Sequence, residues 1–110
     1  MFVRIYADGL SGNNVSRGKL AEMIADQFGV SAKPFASVST DVFDLDIREN
    51  KEYIPCSDDF LYWHYYIEID PADNDIGLRE YVTDIKRIIK LLESSSFKIT
   101  ASCDFEELLT

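Results

Sequence analysis

Basic residues are scarce in this chain: eleven Lys and Arg stand against twenty Asp and Glu, a net charge of −9 over 110 residues. Non-specific affinity for nucleic acid comes mostly from Lys and Arg replacing condensed counterions, so this balance argues against a phosphate-backbone partner. It favours instead a basic protein, or simple solubility. Cysteine is equally sparse. Cys56 and Cys103 form no Cys-x-x-Cys or Cys/His spacing for zinc, and in a cytoplasmic setting both are expected as reduced thiols. Only one histidine is present, His64, so imidazole chemistry at neutral pH has a single candidate. No apolar run approaches the roughly 20 residues needed to cross a bilayer, and Met1-Phe2-Val3-Arg4 does not open a signal peptide. A cytoplasmic location is the expectation.

Apolar surface, by contrast, is plentiful. Hydrophobic residues make up 46% of the chain, including seven Phe, six Tyr and one Trp. That suffices for a packed core without disulfides or a structural metal, and the length allows one domain over residues 1–110. No cofactor is called for.

Residues 2–8 alternate as a half-buried strand, with Val3, Ile5 and Ala7 on one side and Arg4 and Tyr6 on the other. A turn-rich loop follows, then a helix capped by Ser16, striped by Leu20, Met23, Ile24 and Phe28, and stopped at Gly29. From Phe35 to Ile47 alternation returns, with Phe43, Leu45 and Ile47 opposed to Val42, Asp44, Asp46 and Arg48. Residues 49–59 read as a polar connection. Phe60 to Asp70 is the strongest strand pattern, placing Leu61, Trp63, Tyr65, Ile67 and Ile69 on one face, and Pro71 ends it. Asn74 or Asp75 is expected to cap a second helix striped by Leu78, Val82, Ile85, Ile88, Ile89 and Leu92. Ser94-Ser95-Ser96 closes it, and Phe97, Ile99, Ala101 and Cys103 alternate as a last strand; Glu106-Glu107-Leu108-Leu109 is expected to add a helical turn. The order βαββαβ predicts an α+β, ferredoxin-like domain: a four-stranded antiparallel sheet with both helices on one face.

The uncovered sheet face should then carry Tyr6, Asp44, Asp46, Tyr62, His64, Tyr66 and Glu68, beside Arg4, Lys98, Thr100 and Ser102. Tyrosines bordered by carboxylates suit a protein contact, because Tyr gives large contact area at low entropic cost and acids complement a basic patch. The plainer account is that these tyrosines pack across strands and shield the backbone. RNA-binding sheets also display aromatics but add basic side chains, which are lacking here. Asp104, Glu106 and Glu107 form a second acidic patch after the last strand.

Other chemistry finds little support. His64 shares its strand face with Glu68, but no Ser or Cys is placed to make a nucleophile pair with it. Asp70-Pro71-Ala72-Asp73-Asn74-Asp75 offers oxygen ligands yet lacks the glycine and glutamate offsets of an EF-hand, so a turn and helix cap account for it. Gly9, Gly12, Asn13 and Asn14 precede a helix without a Walker pattern.

Two stretches, Tyr62-Trp63-His64-Tyr65-Tyr66-Ile67-Glu68-Ile69-Asp70-Pro71 and Cys103-Asp104-Phe105-Glu106-Glu107-Leu108, resemble small bacterial proteins of the toxin-immunity kind. The resemblance implies a non-enzymatic cytoplasmic antidote that binds a cognate, often basic, toxin. Two rival expectations stand beside it. One is a homodimeric module pairing through its sheet face or an edge strand. The other is a small enzyme using His64.

Overall fold

The computed structural model describes residues 2–9, 15–54, 57–103, 105 and 108. Among these residues five strands and two α-helices follow one another as β1 (Val3–Gly9), α1 (Arg17–Gln27), β2 (Ser37–Ser39), β3 (Phe43–Glu49), β4 (Tyr65–Pro71), α2 (Leu78–Ser94) and β5 (Phe97–Ser102). The strands form one antiparallel sheet in the order β2-β3-β4-β1-β5. The architecture is therefore α+β, with five strands rather than the four expected.

The additional strand comes from residues 35–47, which fold as a hairpin instead of one run. Thr40 turns the chain: its Oγ1 accepts from the backbone N–H groups of Val42 and Phe43 at 3.1 and 3.2 Å. Such local hydroxyl bonds compete with a continuous ladder. The phase shows it too, since Val38 is buried at an even position while Phe43, Leu45 and Ile47 are buried at odd ones.

Apolar alternation builds a single core. Val3, Ile5 and Ala7 of β1, Phe43, Leu45 and Ile47 of β3, and Ile67 and Ile69 of β4 meet Leu20, Ala21, Ile24 and Ala25 of α1 and Ile85, Ile88 and Leu92 of α2. Both helices thus cover the same sheet face. Each fully buried aliphatic side chain contributes about 1.5–3 kcal/mol. Tyr81, which the aliphatic stripe of α2 did not single out, is fully buried, and its hydroxyl donates to the Ile69 carbonyl at 2.9 Å. Burial raises its pKa, because the phenolate has no water to stabilise it.

The termini of α1 follow expectation, with the Ser16 Oγ accepting from the Lys19 N–H at 3.1 Å and Gly29 at φ 69°. The start of α2 does not. Gly77 is the N-cap with no side-chain bond, and neither Asn74 nor Asp75 fills that place. The Asp73 carboxylate instead accepts from the Asp75 N–H at 2.8 Å, closing a turn two residues earlier. β4 also begins later than expected. Residues Phe60–Tyr62 form a 3-10 turn capped by Asp59, whose Oδ1 accepts from the Leu61 N–H at 3.0 Å. Leu61 is consequently half exposed and Trp63 leaves the helix-facing core.

Candidate functional site

Register fixes which side chains share the helix-free face. Tyr6 stands between Tyr66 and Thr100, with Arg48 beyond Tyr66; Arg4 stands between Glu68 and Ser102, with Asp46 beyond Glu68; Asp8 faces Lys98; and Asp44 faces Asp70. Of the ten residues expected at a partner surface, this face brings together Tyr6, Asp44, Asp46, Tyr66 and Glu68. Tyr62 and His64 precede β4 and leave its alternation: Tyr62 lies in a hollow beside Tyr66, whereas His64, expected on the open face, stacks on Tyr53 and Tyr65 instead. Asp104, Glu106 and Glu107 lie outside the described residues, as do residues 10–14 of the glycine-containing loop and Cys56.

The β1/β5 end of the face is roofed by the chain entering β4. Phe60 packs on Tyr6 with ring centroids 4.9 Å apart, and Trp63 lies over the Lys98 ammonium at 4.8 Å. The Ser57 carbonyl accepts from Trp63 Nε1 at 3.0 Å and from Lys98 Nζ at 3.3 Å. Beneath this roof Asp8 is only 6% exposed, and its carboxylate lies 3.9 Å from Lys98. A buried acid of this kind is tolerated because the ammonium accompanies it.

Asn50 holds the roof in place. Its Nδ2 donates to the carbonyls of Leu61 and Trp63 at 2.8 and 2.9 Å, and its Oδ1 accepts from the Glu52 N–H at 3.0 Å. Its own N–H donates to the His64 carbonyl at 2.8 Å. Sequence reasoning passed over Asn50 as part of a polar connection. The one available signal was an Asx residue at the end of a strand, which favours a turn.

Glu68 occupies the centre. One carboxylate oxygen accepts from Arg48 Nε at 2.8 Å and the other from Arg4 Nη2 at 3.1 Å. The Arg4 guanidinium also lies 5.1 Å from the Tyr66 ring. A hydrogen bond with Tyr6 is the main reason that the Arg4 pKa is raised further, burial opposing and Glu68 assisting. Arg4 Nε is buried without a hydrogen-bond partner among the described residues. Glu68 is thus committed within the fold and is not spare negative charge.

Tyr62 and Tyr66 line a shallow hollow with Arg4, Tyr6, Asn50 and Leu61. His64 is stacked between two tyrosine rings, Tyr53 at 4.4 Å and Tyr65 at 4.0 Å. Burial, followed by the nearby Glu49, raises the Tyr65 pKa, and its hydroxyl donates to the Val15 carbonyl.

The β3/β4 end carries charge of one sign. Asp44 and Asp70 are opposed across the strands and both are exposed. The Ala72 N–H donates to the Val42 carbonyl at 2.9 Å, which brings the turn holding Asp41 beside the turn holding Asp73. Asp46 is bonded by the Ser37 hydroxyl. Among the described residues no ion pair reaches Asp41, Asp44, Asp46, Asp70, Asp73 or Asp75. Nor do any three Asp, Glu, His or Cys side chains among them converge as metal ligands would. No described helix is long and apolar enough to cross a membrane.

No family model matches the chain, and no curated protein or solved structure does.

Proposed function

We propose that this domain is a protein-binding module of the cytoplasm, an immunity or inhibitor protein that neutralises a basic toxin by covering it with the acidic end of the open sheet face. The observation that carries this reading is the Asp44–Asp70 pair. Like charges directly opposite on a sheet are unfavourable, by about 0.2–1 kcal/mol per pair. Here they are retained at an exposed position, flanked by Asp41, Asp46 and Asp73, with no ion pair from the described chain. A cationic partner removes that repulsion on binding and is steered toward it beforehand. Tyr66 and Tyr62, further along the same side of the molecule, supply adjoining aromatic contact area.

The scaffold supports the same role. We read the strands β5-β1-β4-β3, joined through α1 and α2, as a ferredoxin-like unit to which β2 adds an edge. Such a frame leaves one sheet face available for a partner.

The test is retention of proteins from the source cells on the tagged domain at about 0.15 M and 0.5 M salt, where screening lengths differ by nearly a factor of two. The comparison variant is Asp44→Lys with Asp70→Lys. A basic protein held by the original chain at both salts and lost by the variant, with the variant still folded, supports the reading. Equal retention by both chains overturns it.

A further inference from the structure

The sheet has two edges, and they are treated differently. At the β2 edge the strand is three residues long, and the Ser37 carbonyl already accepts from the Lys33 N–H at 2.8 Å. Phe35 and Ala36, at φ 64° and 56°, bend the chain just before it. Short strands and bent approaches are the usual protection of an edge against further pairing.

β5 has none of this protection. It pairs residue for residue with β1 from Phe97 to Ser102, with no bulge and no proline, and among the described residues no strand lies on its other side. Its single charge, Lys98, is turned into the fold beneath Trp63 and beside Asp8. Ile99 and Ala101 face the helix layer but remain only partly buried.

We propose that β5 pairs antiparallel with β5 of a second copy of this chain, joining the two sheets into one across a two-fold axis at Thr100. This goes beyond the toxin-binding reading and does not depend on it, since the acidic face lies at the other side of the sheet. Charge selects the occupant. Copies carrying −9 each repel one another unless the contact excludes carboxylates. Phe97–Ser102 contains none, whereas β1, β3 and β4 all do and β2 is bonded to Asp46.

The register follows from side-chain parity, because paired residues must point to the same face. Centring on Thr100 sets Thr100 against its own copy, Lys98 against Ser102, and Ile99 against Ala101. No like charges oppose each other along the strands. The apolar pairs fall on the helix side, where they extend the core.

Sedimentation equilibrium across a wide dilution series, with site-directed cross-linking, tests the pairing. The expected mass approaches twice 12.6 kDa at high concentration. Thr100→Asp, which sets two carboxylates face to face, should raise the dissociation constant severalfold while circular dichroism stays unchanged. Under mild oxidation Thr100→Cys should yield covalent dimer well above the wild-type baseline, because directly opposed Cβ atoms are about 4.5–5.5 Å apart. Lys98→Cys should not, since the two copies of residue 98 are offset by about 13 Å along the strands. A chain monomeric throughout the series, a dimer indifferent to Thr100→Asp, or equal cross-linking from the two cysteine positions overturns the proposal.

Discussion

At one end of the open sheet face, Tyr6, Asp8 and Lys98 lie under Phe60 and Trp63; at the other, Asp44 and Asp70 oppose each other in solvent. The same sheet carries both, so the backbone does not explain the difference. Side-chain pairing does. Beneath the roof the buried Asp8 is paired with Lys98, and at the centre of the face Glu68 is paired with Arg4 and Arg48. At the bare end the described chain supplies no ion pair, and repulsion is left in place. The first arrangement is what folding favours. The second calls for a reason outside the fold, and a cationic partner is one.

The roofed end should therefore answer to mutation as part of the core. Trp63→Ala removes an indole that is 8% exposed and joins Lys98 to the Ser57 carbonyl. A loss of about 3–5 kcal/mol is expected in urea denaturation, as for large-to-small changes in cores. A loss below 1 kcal/mol would reduce the roof to a loosely attached loop and dissolve the contrast. Asn50→Ala withdraws two side-chain donors from the Leu61 and Trp63 carbonyls. About 1–3 kcal/mol should go with them, the hydrogen bonds being partly solvent-exposed. Hydrogen exchange should rise at residues 57–63 in this variant and stay unchanged in β3.

Much of this fold is written in local patterns. Most of both helix stripes, the Ser16 cap, the Gly29 stop and the strands β1 and β5 appear in the structure where periodicity puts them, but Leu78 of the α2 stripe is 42% exposed and β5 is half-buried along most of its length rather than alternating. What periodicity missed are two places where the chain turns inside a stretch read as one strand. At Thr40 a hydroxyl bonds the backbone, and at Phe60–Tyr62 a 3-10 turn carries Leu61, Trp63 and Tyr65 through an apparently continuous strand pattern. Alternation reports which residues are apolar, not whether the chain stays straight. The site was legible in part for a related reason. Tyr6, Tyr66, Asp44, Asp46 and Glu68 share a face by parity alone, but the Asp44–Asp70 opposition depends on the β3/β4 register. Tertiary placement likewise neutralises Glu68, since nothing in Tyr65–Pro71 by itself brings Arg4 and Arg48 to it.

Glu68 marks the boundary between the two ends, and Glu68→Gln tests on which side it belongs. The amide keeps the shape but gives up the charge that holds both guanidinium groups. A destabilisation of about 1–2 kcal/mol is expected, less than for a fully buried pair because Arg4, Arg48 and Glu68 retain solvent contact. The variant should leave the cationic partner's affinity nearly unaltered, since Glu68 is already occupied by arginine. A large loss of binding with little loss of stability would move the contact surface onto the centre of the face.

The smallest effect carries the opposite sign. Asp44→Asn, or Asp70→Asn, removes one of two opposed carboxylates without changing side-chain volume, and should stabilise the isolated domain by about 0.2–1 kcal/mol. The gain should shrink as salt is raised, because exposed charges are screened over about 10 Å at 0.1 M and about 3 Å at 1 M. Stability and binding should therefore separate: each asparagine variant folds at least as well as the original chain and holds its cationic partner less tightly. If either substitution instead destabilises the domain, that carboxylate is making a favourable interaction within the fold. The two ends of the face would then differ in exposure alone, and the acidic end would no longer require a partner to account for it.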